Sequence, residues 1–477
     1  MVFSSYEFLL VFLPVVVAGY FLLSRTRRSV WQKLFLLGGS LFFYGYFNVR
    51  YLLLILASIG VNYAAATMIQ RTPERKKRLG KALLTAGVLF NVGLIGYYKY
   101  FDFFLETVNA VAGTEFILRN ILLPLGISFF TFQQLSFLIS VYKREEKVED
   151  LLNYALFVTF FPQLVAGPIV LYEEMIPQFA DDCKRRFNAD NFARGLYFFG
   201  VGLLKKAVIA DSLAVLVDNG FGIKDPGMVG AWATALCYTL QIYFDFSGYS
   251  DMAIGLGRMF NIELPDNFDR PYLSESITVF WRRWHMTLGR ALSYYVYKPL
   301  GGNRKGMTRT CINLFLTFFV SGLWHGASWN FLVWGIAQGI IVIVERLCRN
   351  GLEKIPRWVR IAGTFLTTNF LWVLFRAESF EAASVIYRGM FDFENPGMNS
   401  LSLMMMDGTV AFPMLVNCAC VFMVLAGLLT VVFSGREKIR LQKDQLLTRG
   451  QAWLAAACFV LALMCMGRES VFIYYNF

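Results

Sequence analysis

Histidine is nearly absent from this chain: two occur among 477 residues, at positions 285 and 325. Charge is scarce too, at 16% of side chains against 57% hydrophobic ones, and mean hydropathy is +0.51. Such a chain lacks the polar surface of a soluble globule, which excludes an ordinary cytosolic enzyme. The eight cysteines form no CxxC pair and no Cys/His ligand spacing, and most lie in apolar stretches, so they read as reduced packing residues. Two histidines and scattered carboxylates give no recognisable metal-ligand set. No Ser-His-Asp order and no convincing internal repeat is visible, and the missing repeat argues against a transporter made by duplication. Gly301-Gly302-Asn303 lacks the Lys-Ser/Thr of a nucleotide loop and reads as a turn.

What the chain does have is a succession of uncharged stretches of roughly 18 to 22 residues, each long enough to cross roughly 30 Å of hydrocarbon as a helix. The sequence therefore predicts an all-α polytopic membrane protein. The first stretch, Phe8–Leu23, has no basic segment before it and no small-residue cleavage site after it, so it reads as a retained span. The net charge of +12 is carried by short basic clusters at 25–28, 71–81, 143–147, 346–360 and 436–449, each lying between apolar runs. That placement suits cytoplasmic loops and not a nucleic-acid surface.

Putting those loops inside predicts an N-terminus outside, 8–23 inward, 34–47 outward, 51–68 inward, 83–98 outward and 121–141 inward. The stretch 154–170 holds Pro162, Gly167 and Pro168 and reads as broken or re-entrant. Later runs lie near 192–204, 229–244, 310–325, 329–345, 361–375, 412–433 and 451–467, and the tail 468–477 falls outside. Between 247 and 303 the chain turns polar, aromatic and basic, which predicts short interfacial helices and loops on the cytoplasmic side. A single domain, 1–477, is the simplest reading, with N-terminal helices over 1–100 and a core over 120–350.

His325, in Gly322-Leu323-Trp324-His325-Gly326, stands between two apolar runs. An ionisable ring at that depth faces a cavity or a bundle interior, as a functional group or as a hydrogen-bonded tie between helices. His285 lies in Phe280-Trp281-Arg282-Arg283-Trp284-His285. Its guanidinium groups suit an anionic thioester carrier, and the same pattern suits an interfacial anchor on lipid phosphate. Two histidines offer general-base activation of a hydroxyl or thiol. Asp245 and Asp251 end an apolar run and could polarise a histidine or bind a cation. The tail Phe472-Ile473-Tyr474-Tyr475-Asn476-Phe477 reads as an interfacial aromatic belt, and a phenol there could also accept an acyl group.

Leu123-Pro124-Leu125-Gly126-Ile127-Ser128-Phe129, Phe161-Pro162-Gln163-Leu164-Val165-Ala166-Gly167-Pro168, Pro265-Asp266-Asn267-Phe268, Phe280 to His285 and Gly322 to Gly326 occur in that order. With them the chain resembles, nearly end to end, the membrane-bound O-acyltransferase (MBOAT) family, most closely its AlgI-like branch. The resemblance implies a ring of about 11–13 transmembrane or re-entrant helices around a thin centre with a cytoplasmic funnel, in the bacterial inner membrane. It implies acyl transfer from a cytoplasmic thioester, acetyl-CoA or a carrier protein, with no further cofactor. The acceptor is a secreted or wall polysaccharide, reached through an extracytoplasmic serine-hydrolase-like (SGNH) partner. It maps the catalytic base onto His325, its assistant onto His285, and a transiently acylated tyrosine onto Tyr474, with Tyr475 in reserve. Arg282 and Arg283 would hold donor phosphates, and Trp281, Trp284, Asp245, Asn267, Trp324 and Asn330 would shape the substrate path. After His285 the chain departs from the branch, with Ala291, Ser293 and Tyr294 where a tryptophan and an Arg-Asp pair are usual. D-alanyl transfer to teichoic acid, lipid-linked sugar transport and a non-catalytic scaffold are the rival readings.

Overall fold

The computed structural model describes residues 1–26, 28–405, 421–429, 432, 447–466 and 473, and no strand occurs among them. Helices Val49–Arg71, Glu74–Ala112, Trp329–Leu347 and Arg357–Arg376 are long and apolar enough to cross a membrane. Phe8–Leu23, Ile127–Tyr142 and Arg449–Cys465 are shorter apolar helices. The chain is an all-α polytopic membrane protein.

The N-terminal third packs α1 (Leu13–Leu23), α2 (Ser29–Gly45), α3 (Val49–Arg71), α4 (Lys77–Ile95), α5 (Phe101–Ala112) and α6 (Ile127–Tyr142). Leucine side chains have no preference for one another over lipid tails, so polar ties carry much of the specificity here. Asn62 Nδ2 donates to Gln134 Oε1 at 2.6 Å, and Asn91 Nδ2 to Asn62 Oδ1 at 2.6 Å, joining α3, α4 and α6. Sequence places the fourth span at 83–98. The helix instead runs on through a widened turn at Gly96–Tyr100 to Ala112, which carries Lys99 and Tyr100 into the protein.

The stretch 154–170 is broken as its prolines require. Helix α7 (Leu151–Thr159) stops at Phe160, α8 (Phe161–Leu164) starts with Pro162 in its first turn, and irregular buried chain leads to α9 (Tyr172–Ala180).

The core is α10 (Ala189–Leu203), α11 (Asp211–Gly222) and the long α12 (Gly227–Met259). Gly195 and Gly202 of α10 meet Gly255 and Gly248 of α12. A Cβ on Gly202 would stand 2.5 Å from Gly248 O, and one on Gly255 2.6 Å from Gly195 O, so the two backbones touch. That seam keeps α12 helical through Ser247 and Gly248 to Met259. The stretch from 247, expected to hold short helices and loops, is helical as far as Met259, because a buried helix can be as polar as its partners allow. Its partners sit on the widened turn Leu204–Ala210. Lys205 pairs with Asp251 at 2.8 Å, and Lys206 with Asp211 and Asp245 at 2.7 Å each, all buried. Mutual pairing is what makes such ions tolerable away from water.

Beyond Met259 come short helices α13 (Ile277–Arg283) and α14 (Met286–Leu292), then α15 (Gly306–His325), α16 (Trp329–Leu347), the single turn α17 (Arg349–Leu352) and α18 (Arg357–Arg376). Helices α15 and α16 form a tight hairpin. A Cβ on Gly322 would lie 2.5 Å from Phe331 O, and one on Gly335 2.6 Å from Phe318 O.

Candidate active site

Both histidines are buried at 1% exposure, and both imidazoles lie against one indole. The Trp324 ring is 5.7 Å from that of His285 and 5.0 Å from that of His325, centroid to centroid. His325 is the last residue of α15, enclosed further by Trp334 of α16 at 5.2 Å and Phe375 of α18 at 5.1 Å. The α15–α16 glycine contact allows this enclosure by bringing the helix carrying Trp334 close to the one carrying His325.

His285 sits in the sharp turn between α13 and α14 with φ 44° and ψ 53°, a left-handed conformation that costs a non-glycine residue about 1–2 kcal/mol. Asn267 stabilises it. Its Oδ1 lies 3.3 Å from His285 Nδ1 and accepts Thr287 Oγ1 at 2.6 Å, while its backbone carbonyl accepts Met286 N at 2.9 Å. With Asn267 Oδ1 as the acceptor, the Nδ1-protonated tautomer leaves Nε2 as the basic nitrogen. Phe246 packs edge-on against the ring at 4.7 Å.

A cleft of about 1440 Å³ reaches this turn from the α17 surface. Its lining includes His285, Trp281 and Ser321 at depth, and Arg282, Arg290, Arg346, Arg349 and Arg360 with Glu275, Glu345 and Glu353 elsewhere along its wall. His325 is not in the lining; Ser321, one helical turn before it, is. Trp281 is held by its Nε1, which donates to Gln338 Oε1 at 3.1 Å.

The remaining residues named from sequence separate. Arg283 is outside the cleft lining, where its carbonyl accepts Asp269 N at 2.9 Å. Trp284 is buried among Phe268, Phe280 and Trp372 and supports the His285 turn from behind. Asn330 ties the start of α16 to the end of α18, Nδ2 to Ala377 O at 2.7 Å. Asp245 belongs to the lysine cluster, and its Oδ2 accepts the backbone amide of Ile473 at 3.0 Å. These four support the site without lining the cleft. Tyr474 and Tyr475 lie outside the described residues. Tyr294, at a departure from the branch pattern, accepts from Lys143 Nζ at 2.7 Å and donates to Glu145 at 2.8 Å, and so ties the α14 end to the loop after α6.

Sequence reasoning missed Lys99, Tyr100, Ser321, Trp334, Gln338 and Phe375. The lysine was the findable one, as a charge inside a helix long enough to span; the others look like ordinary membrane-helix residues. Two buried indole N–H groups beside His325, Trp324 Nε1 and Trp334 Nε1, have no acceptor among the described residues. Buried donors without partners concentrate at places where a ligand or water supplies the acceptor.

The arrangement can do acyl transfer. It has bases in an enclosed aromatic pocket, donors for a developing oxyanion, and an arginine-lined approach for an anionic carrier. Residues 48–383 match the sequence pattern of the membrane-bound O-acyltransferase family. A peptidoglycan O-acetyltransferase of Helicobacter pylori is 42% identical over 435 residues, covering 84% of this chain and 81% of that protein. A probable alginate O-acetylase AlgI of Pseudomonas putida is 41% identical over 416 residues, covering 86% and 84%. A teichoic acid D-alanyltransferase of Bacillus subtilis is 27% identical over 273 residues, covering 53% and 68%.

Proposed function

Because this chain belongs to the membrane-bound O-acyltransferase family and is an O-acyltransferase, we propose that it takes an acetyl group from cytoplasmic acetyl-CoA and passes it outward for O-acetylation of a cell-envelope or secreted polysaccharide. The observation that carries the reading is the convergence of the chain's two histidines on Trp324 at a cleft lined by arginines. The arginine-rich 346–360 segment, cytoplasmic by its charge, contributes to the wall, which supports donor entry from that side. The protein then sits in the inner membrane with both termini outside.

In this scheme the thioester enters along Arg282 with its acyl end near His285 and Ser321. His325 accepts the proton of the attacking hydroxyl, whose oxygen bonds to the thioester carbonyl carbon. The indole N–H groups of Trp324 and Trp334 are the donors available to the resulting oxyanion. Collapse breaks the C–S bond, the thiolate leaves and takes up the proton held by the His325 imidazolium to become the free thiol, and the hydroxyl has become an acetyl ester. The attacking hydroxyl is the phenol of Tyr474, and an extracytoplasmic serine-hydrolase-like partner transfers the acetyl group onward to the glycan. The anchoring of Ile473 on Asp245 supports this, since it ties the residue before Tyr474 to the helical core. D-alanyl transfer is the weaker reading, resting on relatives of lower identity that match about half of the chain.

The test is reconstitution in vesicles with radiolabelled acetyl-CoA outside the lumen, following label on the chain in wild type, His325→Ala and Tyr474→Phe. Both variants should lose it. Undiminished labelling in both would overturn the mechanism.

A further inference from the structure

Helix α15 ends at His325, and a helix end leaves its last four carbonyls without an intrahelical partner. Two of the four, immediately before His325, are filled by neighbouring side chains that lie 223 and 225 residues earlier in the sequence. Tyr100 OH donates to Leu323 O, and Lys99 Nζ donates to Trp324 O. The Lys99 ammonium also lies 3.4 Å from Ser128 Oγ and 5.9 Å from the Trp324 ring centroid. Among the described residues no carboxylate is within ion-pair distance of Lys99, whereas Lys205 and Lys206 are matched by three aspartates. Ammonium groups at membrane depth are costly and rarely kept for packing alone. A cation set against the carbonyl end of a helix is where the backbone dipole favours it.

We propose that Lys99 and Tyr100 form a clasp that fixes the end of α15, and that Lys99 is a positioning residue for His325. The clasp acts through Trp324: it holds the backbone of the residue whose indole touches both imidazoles. The widened turn at Gly96–Tyr100 is the device that aims both side chains. An ordinary helical turn advances successive residues by about 100°, and here consecutive residues grip consecutive carbonyls. This inference rests on His325 being the reacting base, so the experiment carries one readout that needs no turnover.

The chain has only two histidines, so carbethoxylation by diethyl pyrocarbonate, resolved by peptide mass spectrometry, reports each separately. The detergent-purified full chain is compared as wild type, Lys99→Met, Lys99→Arg and Tyr100→Phe, with Lys81→Met as an exposed control. Lys99→Met should raise the His325 modification rate about fivefold or more, the scale of losing one good local interaction. Lys99→Arg should recover part of it and Lys81→Met none of the change. In vesicles, kcat for acetyl transfer in Lys99→Met should fall about 100-fold, the cost of roughly 1 Å of misplacement, with KM for acetyl-CoA within about twofold. An unchanged His325 rate in monodisperse Lys99→Met overturns the clasp, and so does an equal loss in Lys99→Arg. If Lys99→Met is not monodisperse, Tyr100→Phe decides, and an unchanged His325 rate there has the same meaning. A His325 rate that moves while wild type transfers no acetyl group would leave the clasp standing and remove the functional reading.

Discussion

Replacing Asn267 by leucine keeps the size and branching of the side chain but removes its amide: Nδ2, which donates to Ser250 Oγ at 3.3 Å, and the Oδ1 oxygen. That oxygen accepts Thr287 Oγ1 at 2.6 Å and Thr287 N at 3.3 Å, and faces His285 Nδ1 at 3.3 Å. Thr287 Oγ1 in turn accepts Ile169 N at 3.0 Å, so its hydroxyl cannot swing away without disturbing the broken segment beside it. Leaving buried donors unmet costs about 1–3 kcal/mol for each group that finds no substitute. With two of the three losing their acceptor outright, the fold should lose about 2–6 kcal/mol. The left-handed turn at His285 then loses what offsets its strain, and the imidazole is free to leave Trp324. A loss of about 10- to 100-fold in kcat corresponds to about 1.4–2.7 kcal/mol in the transition state. Asn267→Asp, which keeps an acceptor oxygen at the same place, should be milder in rate. The assay is acetyl transfer in vesicles beside thermal unfolding of the same preparations in detergent. A leucine variant with wild-type melting and kcat within about twofold would show that Asn267 does not hold His285, and the argument for an oriented second histidine would fail.

Two further perturbations probe the other side of Trp324. Gly335→Ala puts a methyl 2.6 Å from Phe318 O and 2.9 Å from Gly322 Cα. The α15–α16 hairpin must open, at about 1–3 kcal/mol, and the melting temperature and acetyl transfer should fall together; unchanged melting would contradict the close approach. Trp324→Phe keeps an aromatic face against both imidazoles and removes the N–H. It should lower kcat about 100-fold with little change in KM if that group meets the oxyanion, and steady-state kinetics showing a KM effect alone would assign the indole to ground-state binding.

Hydrophobicity made the membrane class legible, since no soluble arrangement suits such runs, and Pro162 and Gly167 made the break after α7 legible. The path of α12 was not. Asp245, Ser247, Gly248 and Asp251 look like the end of a span, because the eye reads charge as exposure. What the sequence does not display is that Lys205 and Lys206, some forty residues earlier, arrive opposite those aspartates on a widened turn. Gly195 and Gly202 likewise match Gly255 and Gly248 only once the helices are antiparallel. Long-range pairing turns a polar stretch into a core helix, and pairing is what a single sequence hides.

The site divides along the same line. His285 and His325 stand out by rarity, and each lies in a motif dense with tryptophan, so their importance could be read without coordinates. Their relation could not, because it runs through Trp324, whose two neighbours come from different parts of the chain. Arg282 and Arg283 are adjacent and chemically identical, yet a helical turn sends only Arg282 to the cleft while Arg283 closes a loop with Asp269. Asp245, expected to shape the substrate path, pairs with Lys206 and accepts the amide of Ile473. A carboxylate read as part of the substrate path thus meets a lysine and the amide of Ile473, while Lys99, which looked like a span boundary, reaches the carbonyl next to the base. In lipid both outcomes follow from one constraint: every buried polar group needs a partner, and the partner, more than the residue type, decides what the group does.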